Sequence, residues 1–263
     1  VIVLEPTDQP QRFVLQVVSG VSVGPPEAQF LFGGAGLAAC IAALESATGR
    51  PAVWATAQYL SYARPPCRLD LDVIVPVTGR HSTQARVVGH VGDTEILTVN
   101  AALGSRPETL ALQWPSPPPA PPPGECPPML RGWRHAPDDI NSRLDLRVVK
   151  GGGGMDAAGP SADGHSVLWA RLRDRSLPVD RVALAVLADF LPSGIGHAIG
   201  RQAGGNSLDN TIRYARLVQT EWVLLDIHID AVANGFGHGR MHLFAEDGTL
   251  MASASQSMIV RMV

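Results

Sequence analysis

Cysteine is scarce in this chain. There are three, Cys40, Cys67 and Cys126, and no two stand in a CxxC pair. An odd, sparse set excludes a disulfide scaffold or a zinc knuckle and points to a reducing, cytoplasmic setting. Each reads as a packed thiol rather than a nucleophile. Positive charge is not in excess either: the net charge is −3, which removes the electrostatic case for nucleic acid. No uninterrupted apolar run reaches the ~20 residues of a membrane span. A basic-then-apolar leader is also missing, and the chain opens Val1-Ile2-Val3 without Met, so its start reads as trimmed. What remains is 263 residues, 45% hydrophobic and 17% charged, the composition of one large globular domain or two small ones.

The stretch around which the chain is organised runs from Val182 to Pro192, Val-Ala-Leu-Ala-Val-Leu-Ala-Asp-Phe-Leu-Pro. It predicts a helix that is apolar on nearly every face and therefore buried. Asp180 stands where an N-cap should, and Pro192 stops the helix. Asp189 shares a face with Val182 and Val186. A carboxylate there is costly unless satisfied. It is either a structural aspartate near a helix end or an acid of raised pKa at an active site.

Earlier in the chain, Phe13–Val18 reads as a strand. Gly20-Val21-Ser22-Val23-Gly24 matches a hydrolase G-x-S-x-G pattern, but Pro25-Pro26 follow where a helix is required, so the match reads as chance. Phe32-Gly33-Gly34-Ala35-Gly36 opens an alanine-rich helix over 37–46. Gly34-x-Gly36-x-x-Ala39 resembles a dinucleotide fingerprint, yet the acid expected about 20 residues on is missing. Those glycines fit a close backbone approach at a helix start, which could also face an anion or a polarised carbonyl. Strands are predicted over 52–62, 69–77, 82–89 and 96–103, with turns at Thr78-Gly79 and Gly92-Asp93. One helix followed by a meander is an α+β pattern.

Residues 107–140 hold the run Pro117-Pro118-Pro119-Ala120-Pro121-Pro122-Pro123 and read as an extended linker. Strands at 144–149 and 167–172 flank a glycine-rich, flexible loop over 151–154 and 159–164. The second half then repeats the first. Tyr62-Ala63-Arg64 recurs as Tyr214-Ala215-Arg216, and Leu71-Asp72-Val73 as Leu225-Asp226-Ile227. The organisation is therefore an N-terminal repeat over 1–106, the linker over 107–140, and a C-terminal repeat over 141–263. Two sheets joined edge to edge, each wrapping its own helix, would bury both halves.

Several stretches in this order resemble the type II acyl-CoA thioesterases, the double-hotdog family. They are Phe32-Gly33-Gly34, Tyr62-Ala63-Arg64-Pro65, Val167-Leu168-Trp169-Ala170-Arg171, Leu187-Ala188-Asp189-Phe190-Leu191-Pro192, Ser207-Leu208-Asp209-Asn210, Glu221-Trp222-Val223-Leu224-Leu225, and Ala252-Ser253-Ala254-Ser255-Gln256. The resemblance implies an α+β double hotdog, two helix-wrapped antiparallel sheets continuous with each other. It also implies hydrolysis of fatty acyl-CoA to free fatty acid and CoA, with no cofactor, since CoA belongs to the substrate. A homo-oligomer, dimer or tetramer, is implied too. The family's water-activating Asp falls on Asp189, its hydroxyl on Ser207 where many relatives have Thr, and its Gln on Gln256. Two departures stand out: Ala35 replaces the Gln often found after Phe-Gly-Gly, and Trp54-Ala55-Thr56 occupies the region of the family's usual His.

The residues themselves support part of this. Leu250, Ala252, Ala254, Gln256, Met258 and Val260 share one strand face. Gln256 is the one amide in that row, and it needs a buried partner, catalytic or structural. Ser207 has the wrong strand parity relative to Leu208, Ile212 and Tyr214. A bulge or a strand start would re-aim it; otherwise it is a turn or cap residue. By the repeat offset, Gln256 corresponds to Ala102 and Ser207 to Ala55, so one site per chain is expected, on the second repeat. Gly33 or Gly34 would offer backbone donors.

Two rivals remain: a non-catalytic acyl-CoA binder, and a double-hotdog enoyl-CoA hydratase. The hydratase needs Asp and His five residues apart, whereas His197 lies eight beyond Asp189. His81, His90, His228, His238 and His242 offer no zincin spacing and predict no metal site.

Overall fold

The computed structural model describes residues 2–108, 110–129, 136–151 and 160–262. The chain forms β1 (Glu5–Pro6), β2 (Arg12–Val17), β3 (Ser22–Val23), β4 (Phe30–Leu31), α1 (Gly33–Thr48), β5 (Ala52–Tyr59), β6 (Cys67–Thr78), β7 (Ser82–Val91) and β8 (Thr94–Gly104). The second half forms β9 (Leu144–Lys150), β10 (His165–Leu172), α2 (Arg181–Ala188), α3 (Gly194–Ile199), β11 (Ala203–Ser207), β12 (Asp209–Tyr214), β13 (Val223–Ala233), β14 (Phe236–Ala245) and β15 (Leu250–Met262). Residues 152–159, most of the expected glycine-rich loop, lie outside the described residues.

Thirteen strands make one antiparallel sheet in the order β1-β2-β6-β7-β8-β5-β12-β15-β14-β13-β10-β9, with β11 also paired to β15. The alternation that predicts the strands is visible in β7, where Thr83, Ala85 and Val87 point inward while Gln84 and Arg86 face water. The two halves meet where β5 pairs with β12. At that seam Thr56 and Thr211 face each other, hydroxyls 2.7 Å apart and 155 residues apart in sequence. Asn100 and Ser255, their respective partners on β8 and β15, differ by the same 155 residues. The fold is an α+β double hotdog.

Both main helices lie on one face of this sheet. Helix α1 is buried continuously from Gly34 to Ile41, because one side packs on β5–β8 and another on α2. It begins earlier than its alanine-rich run predicts, at Gly33, and closes on Gly49 in the left-handed region, φ 64°. Gly34 is required by the approach of the two helices. A Cβ there would stand 2.7 Å from the Asp189 Cβ and 2.8 Å from the Val186 carbonyl oxygen.

Helix α2 starts as expected: Asp180 accepts from the Ala183 amide at 2.8 Å. It ends earlier than expected, at Ala188. Pro192 has no N–H to bond the Ala188 carbonyl, so the last turn before it is lost. A 3-10 turn (Leu191–Ser193) and then α3 follow, the latter unforeseen in the sequence. Residues 181–199 are long and apolar enough to cross a membrane by length and composition alone, but they fold as three pieces and lie mostly inside the core.

The proline-rich segment, expected as a linker, is docked on the sheet. Val167, Trp169, Trp222, Leu224 and Phe244 form a small second core on the face away from the helices, and Ala120 and Cys126 pack there. Trp169 Nε1 donates to the Pro121 carbonyl at 2.9 Å. Gln113 pins the segment to the Asp247-Gly248 turn, donating to the Gly248 carbonyl at 3.0 Å and accepting from the Leu250 amide at 2.8 Å. Helices cover only one face of this antiparallel sheet, so its apolar outer patch requires another cover.

Candidate active site

Asp189 caps the end of α2 with φ −82° and ψ 10°. The helix break turns its side chain toward the start of α1 and the end of β11. It is only 5% exposed. Oδ2 accepts from the Gly34 amide at 2.6 Å. Oδ1 accepts from Ser207 Oγ at 3.1 Å, from Asn210 Nδ2 at 3.4 Å, and from Gln256 Nε2. Gln256 Nε2 also donates to Ser207 Oγ at 3.0 Å. The three residues singled out in the sequence are thus in mutual contact, brought from a helix end and two neighbouring strands.

A bulge resolves the parity of Ser207. Along β15, Ser207 pairs with Met258 while Thr211 pairs with Ser255, so four steps on one strand match three on the other. The extra residue near Leu208 flips the alternation and puts Ser207 on the inner face with Asn210. The Asp209 carboxylate accepts from the Ser257 amide at 2.7 Å, bridging the irregularity. The sheet register also corrects the repeat alignment. The shift of 155 residues sets Ala101 against Gln256 and Ala52 against Ser207, rather than Ala102 and Ala55. Alanine stands at both positions either way.

Burial pushes the Asp189 carboxyl up to about 6, against the pull of its donors Gly34, Gln256, Ser207 and Asn210. It remains ionised at neutral pH while being a stronger base than an exposed carboxylate. Three buried polar atoms around it have no partner among the described residues: Gln256 Oε1, Asn210 Oδ1 and Tyr59 Oη. Such atoms are ordinarily met by water or a ligand.

A cavity of about 330 Å³ opens onto this cluster. Phe30, Leu31, Phe32, Ile96 and Leu97 from the first repeat, with Pro192, Leu208 and Ile259 from the second, form its apolar wall, and Asp189, Ser207, Gly33 and Tyr59 form its polar end. Gln256 is not on that wall; it stands behind Asp189 and Ser207. The Gly34 amide, expected as a free donor, is taken by Asp189. Gly33 opens the helix one residue earlier, with no carbonyl of its own helix to bond.

Sequence reasoning missed Asn210 and Tyr59. Asn210 had a signal, since it interrupts the row of Ile212 and Tyr214 as Gln256 interrupts its own. The other candidates resolve differently. Ser22 Oγ donates to the Val18 carbonyl at 2.8 Å, and Ser22 begins β3, followed by a 3-10 turn (Pro26–Ala28) rather than directly by an α-helix. Cys40 and Cys126 are buried and Cys67 is half-buried, all as free thiols, and burial raises each thiol's pKa. His228 and His242 join His165 around Asp226, at 3.1, 3.6 and 2.8 Å. The His165 and His228 rings stack in parallel, centroids 4.3 Å apart at 6°. The Nε2 atoms of His165 and His228 nevertheless converge on one oxygen, Asp226 Oδ1, and the ligand atoms of these three residues lie within 4.8 Å of one another, a spacing that a metal ion could bridge.

A family model for the acyl-CoA thioesterase C-terminal domain matches residues 115–260. The chain belongs to the acyl-CoA thioesterase family. Its chemistry is thioester hydrolysis. A structure from Novosphingobium aromaticivorans, described as that of a thioesterase, is 33% identical, with 96% of each chain covered and a TM-score of 0.86. An acyl-CoA thioesterase II from Mycobacterium marinum shares the fold at 21% identity, with 99% of this chain and 96% of that one covered and a TM-score of 0.76. A dehydratase domain from Pseudomonas fluorescens shares the fold more loosely, at 14% identity, 94% and 93% coverage and a TM-score of 0.59. A comparison with curated proteins gives no match.

Proposed function

We propose that the protein hydrolyses fatty acyl-CoA to free fatty acid and CoA at the polar end of the cavity, with Asp189 as general base. The observation that carries this reading is a buried carboxylate, its pKa near 6, standing beside a hydroxyl at the reactive end of an apolar cavity.

The acyl chain enters the wall of Phe30, Leu31, Phe32, Ile96 and Leu97. A water rests against Asp189 and Ser207. Ser207 Oγ–H donates a hydrogen bond to Asp189 and Oγ accepts one from Gln256, so its remaining lone pair holds one hydrogen of the water. The water oxygen attacks the thioester carbon as Asp189 takes the other hydrogen. The carbonyl electrons move onto oxygen, which the Gly33 amide at the start of α1 polarises. Collapse of the intermediate breaks the C–S bond, and the proton held by Asp189 leaves with the CoA thiol. Gln256 and Asn210 are positioning residues, acting through the carboxylate and the hydroxyl. CoA is part of the substrate and no cofactor enters.

The hydratase alternative requires a histidine working with the aspartate, and no histidine bonds Asp189 among the described residues. The test is thiol release from acyl-CoA of graded chain length, with wild type and Asp189→Asn side by side. Turnover that collapses in the variant is expected. Tight binding without thiol release would favour the non-catalytic binder.

A further inference from the structure

Tyr59 ends β5 in the first repeat, the half that lacks the acid, the hydroxyl and the amide. Its backbone amide donates to the Leu208 carbonyl at 3.0 Å, which ties it across the seam to the bulge beside Ser207. The side chain runs over Gly33. A Cβ on Gly33 would lie 3.0 Å from Tyr59 Cζ, 3.1 Å from its Oη, and 2.8 Å from Asp189 Oδ2. The hydroxyl and the carboxylate therefore flank one small space, kept open because residue 33 has no side chain. Tyr59 lines the cavity, yet its buried Oη has no hydrogen-bond partner among the described residues. Asn210 is placed to hydrogen-bond it and pulls its pKa down, but the pair misses hydrogen-bond geometry, and Asn210 Oδ1 is itself unpaired among the described residues.

We propose that Tyr59 Oη donates a hydrogen bond to the thioester carbonyl oxygen and, with the Gly33 amide, stabilises the oxyanion. The proposal rests on the hydrolase reading above. A carbonyl lying over Gly33 would put its carbon within reach of a water on Asp189 and its oxygen against the tyrosine. As water attacks, the C=O electron pair moves onto oxygen and the Tyr59 O–H bond to it strengthens. The proton stays on the tyrosine throughout. Burial and the Asp189 charge both raise the Tyr59 pKa well above its ordinary value, so the donor is present at any working pH. A donor fixed in a site that excludes water is worth far more at an oxyanion than in solution. The first repeat would then supply a catalytic residue as well as most of the cavity wall.

The test is Tyr59→Phe, which keeps the ring and removes only a hydroxyl that has no hydrogen-bond partner among the described residues. The expected result is a fall in kcat of about 10²-fold, KM within about 2-fold, and a melting temperature at or above wild type. A ketone analogue of acyl-CoA, with a methylene between sulfur and carbonyl, gives a second readout. Its infrared C=O stretch should move to lower frequency on binding wild type, and this shift should shrink in the variant. An unchanged kcat with an unchanged C=O stretch overturns the proposal. So does a lower melting temperature with the stretch unaltered, which assigns the hydroxyl to holding Asn210. If wild type itself turns over no acyl-CoA, the hydrolase reading fails, and the ketone shift alone decides whether Tyr59 meets a carbonyl.

Discussion

The strands on either side of the central seam carry the same irregularity. On β5, Ala52 pairs with Leu103 and Trp54 with Ala102, two steps against one. On the β11–β12 segment the extra residue falls near Leu208, at the same shift of 155 residues that relates Thr56 to Thr211. Both repeats thus re-aim the residue before the bulge toward the interior. In the first repeat that residue is Ala52, whose amide is bonded by the Glu45 carboxylate at 2.7 Å. In the second it is Ser207, bonded to Asp189. One row over, Ala101 in the first repeat stands where Gln256 stands in the second. The helices differ more: α1 runs unbroken for 16 residues, while its counterpart breaks before Pro192 and leaves Asp189 at the break. The fold supplies a re-aimed position twice, and the acid–hydroxyl–amide cluster forms only where polar side chains and a helix break coincide. The first repeat contributes the larger share of the cavity lining.

The comparison breaks most sharply at Asp189. Asp189→Asn should lower kcat/KM by about 10³-fold, within the range for a lost general base, read by thiol release. In wild type the rate should rise through pH 6 and level off above it, because the base must be ionised and its carboxyl sits at about 6. Stability runs the other way. A carboxyl raised from 3.8 to about 6 contributes stability fully present below 3.8 and lost as pH climbs through 6. Denaturant unfolding from pH 4 to 8 should show that decline in wild type, and a flatter profile in Asp189→Asn.

Gln256→Ala should cost about 30-fold in kcat, the rate equivalent of ~2 kcal/mol for a hydrogen bond to a charged group. Ser207→Ala should cost about 10-fold, the low end of the range for a hydrogen bond to the same carboxylate, and Ser207→Thr should retain the rate since the hydroxyl survives. A Gln256→Ala variant of full activity would remove the amide from the site. The smallest effect on rate belongs to the first repeat. Ala101→Gln should leave kcat within about 2-fold while lowering the melting temperature, because the position is 2% exposed and overpacking costs ~1–3 kcal/mol. A gain in turnover there would mean that the first repeat holds a latent site.

Much of the scaffold was legible because its signals are local. The alternation in β7 and the unbroken apolar run in α1 follow from period and composition. The N-cap at Asp180 follows from residue type. Gln256 was legible as a lone amide in an apolar row, and Asp189 as a lone acid on a buried helix. Ser207 was not, because its direction depends on a bulge set by pairing with β15. The proline-rich segment was read as a spacer because nothing in its composition shows that Trp169 and Phe244 need covering from the far side. Asn210 interrupts an apolar row and could have been found, whereas Tyr59 could not, because its interest lies in a buried hydroxyl with no partner among the described residues.

The sequence by itself determined the repeat, the helix cores, the strand alternation and the family, all carried by neighbours along the chain or by residue order. Only the tertiary structure decided that α2 ends at Ala188, that the Gly34 amide is taken by the carboxylate, and that the cavity lies across the seam with lining from both repeats. Those outcomes depend on contacts such as Gly34 with Asp189, separated by 155 residues. Only packing, by fixing how closely two helices approach and how far water is excluded, sets them.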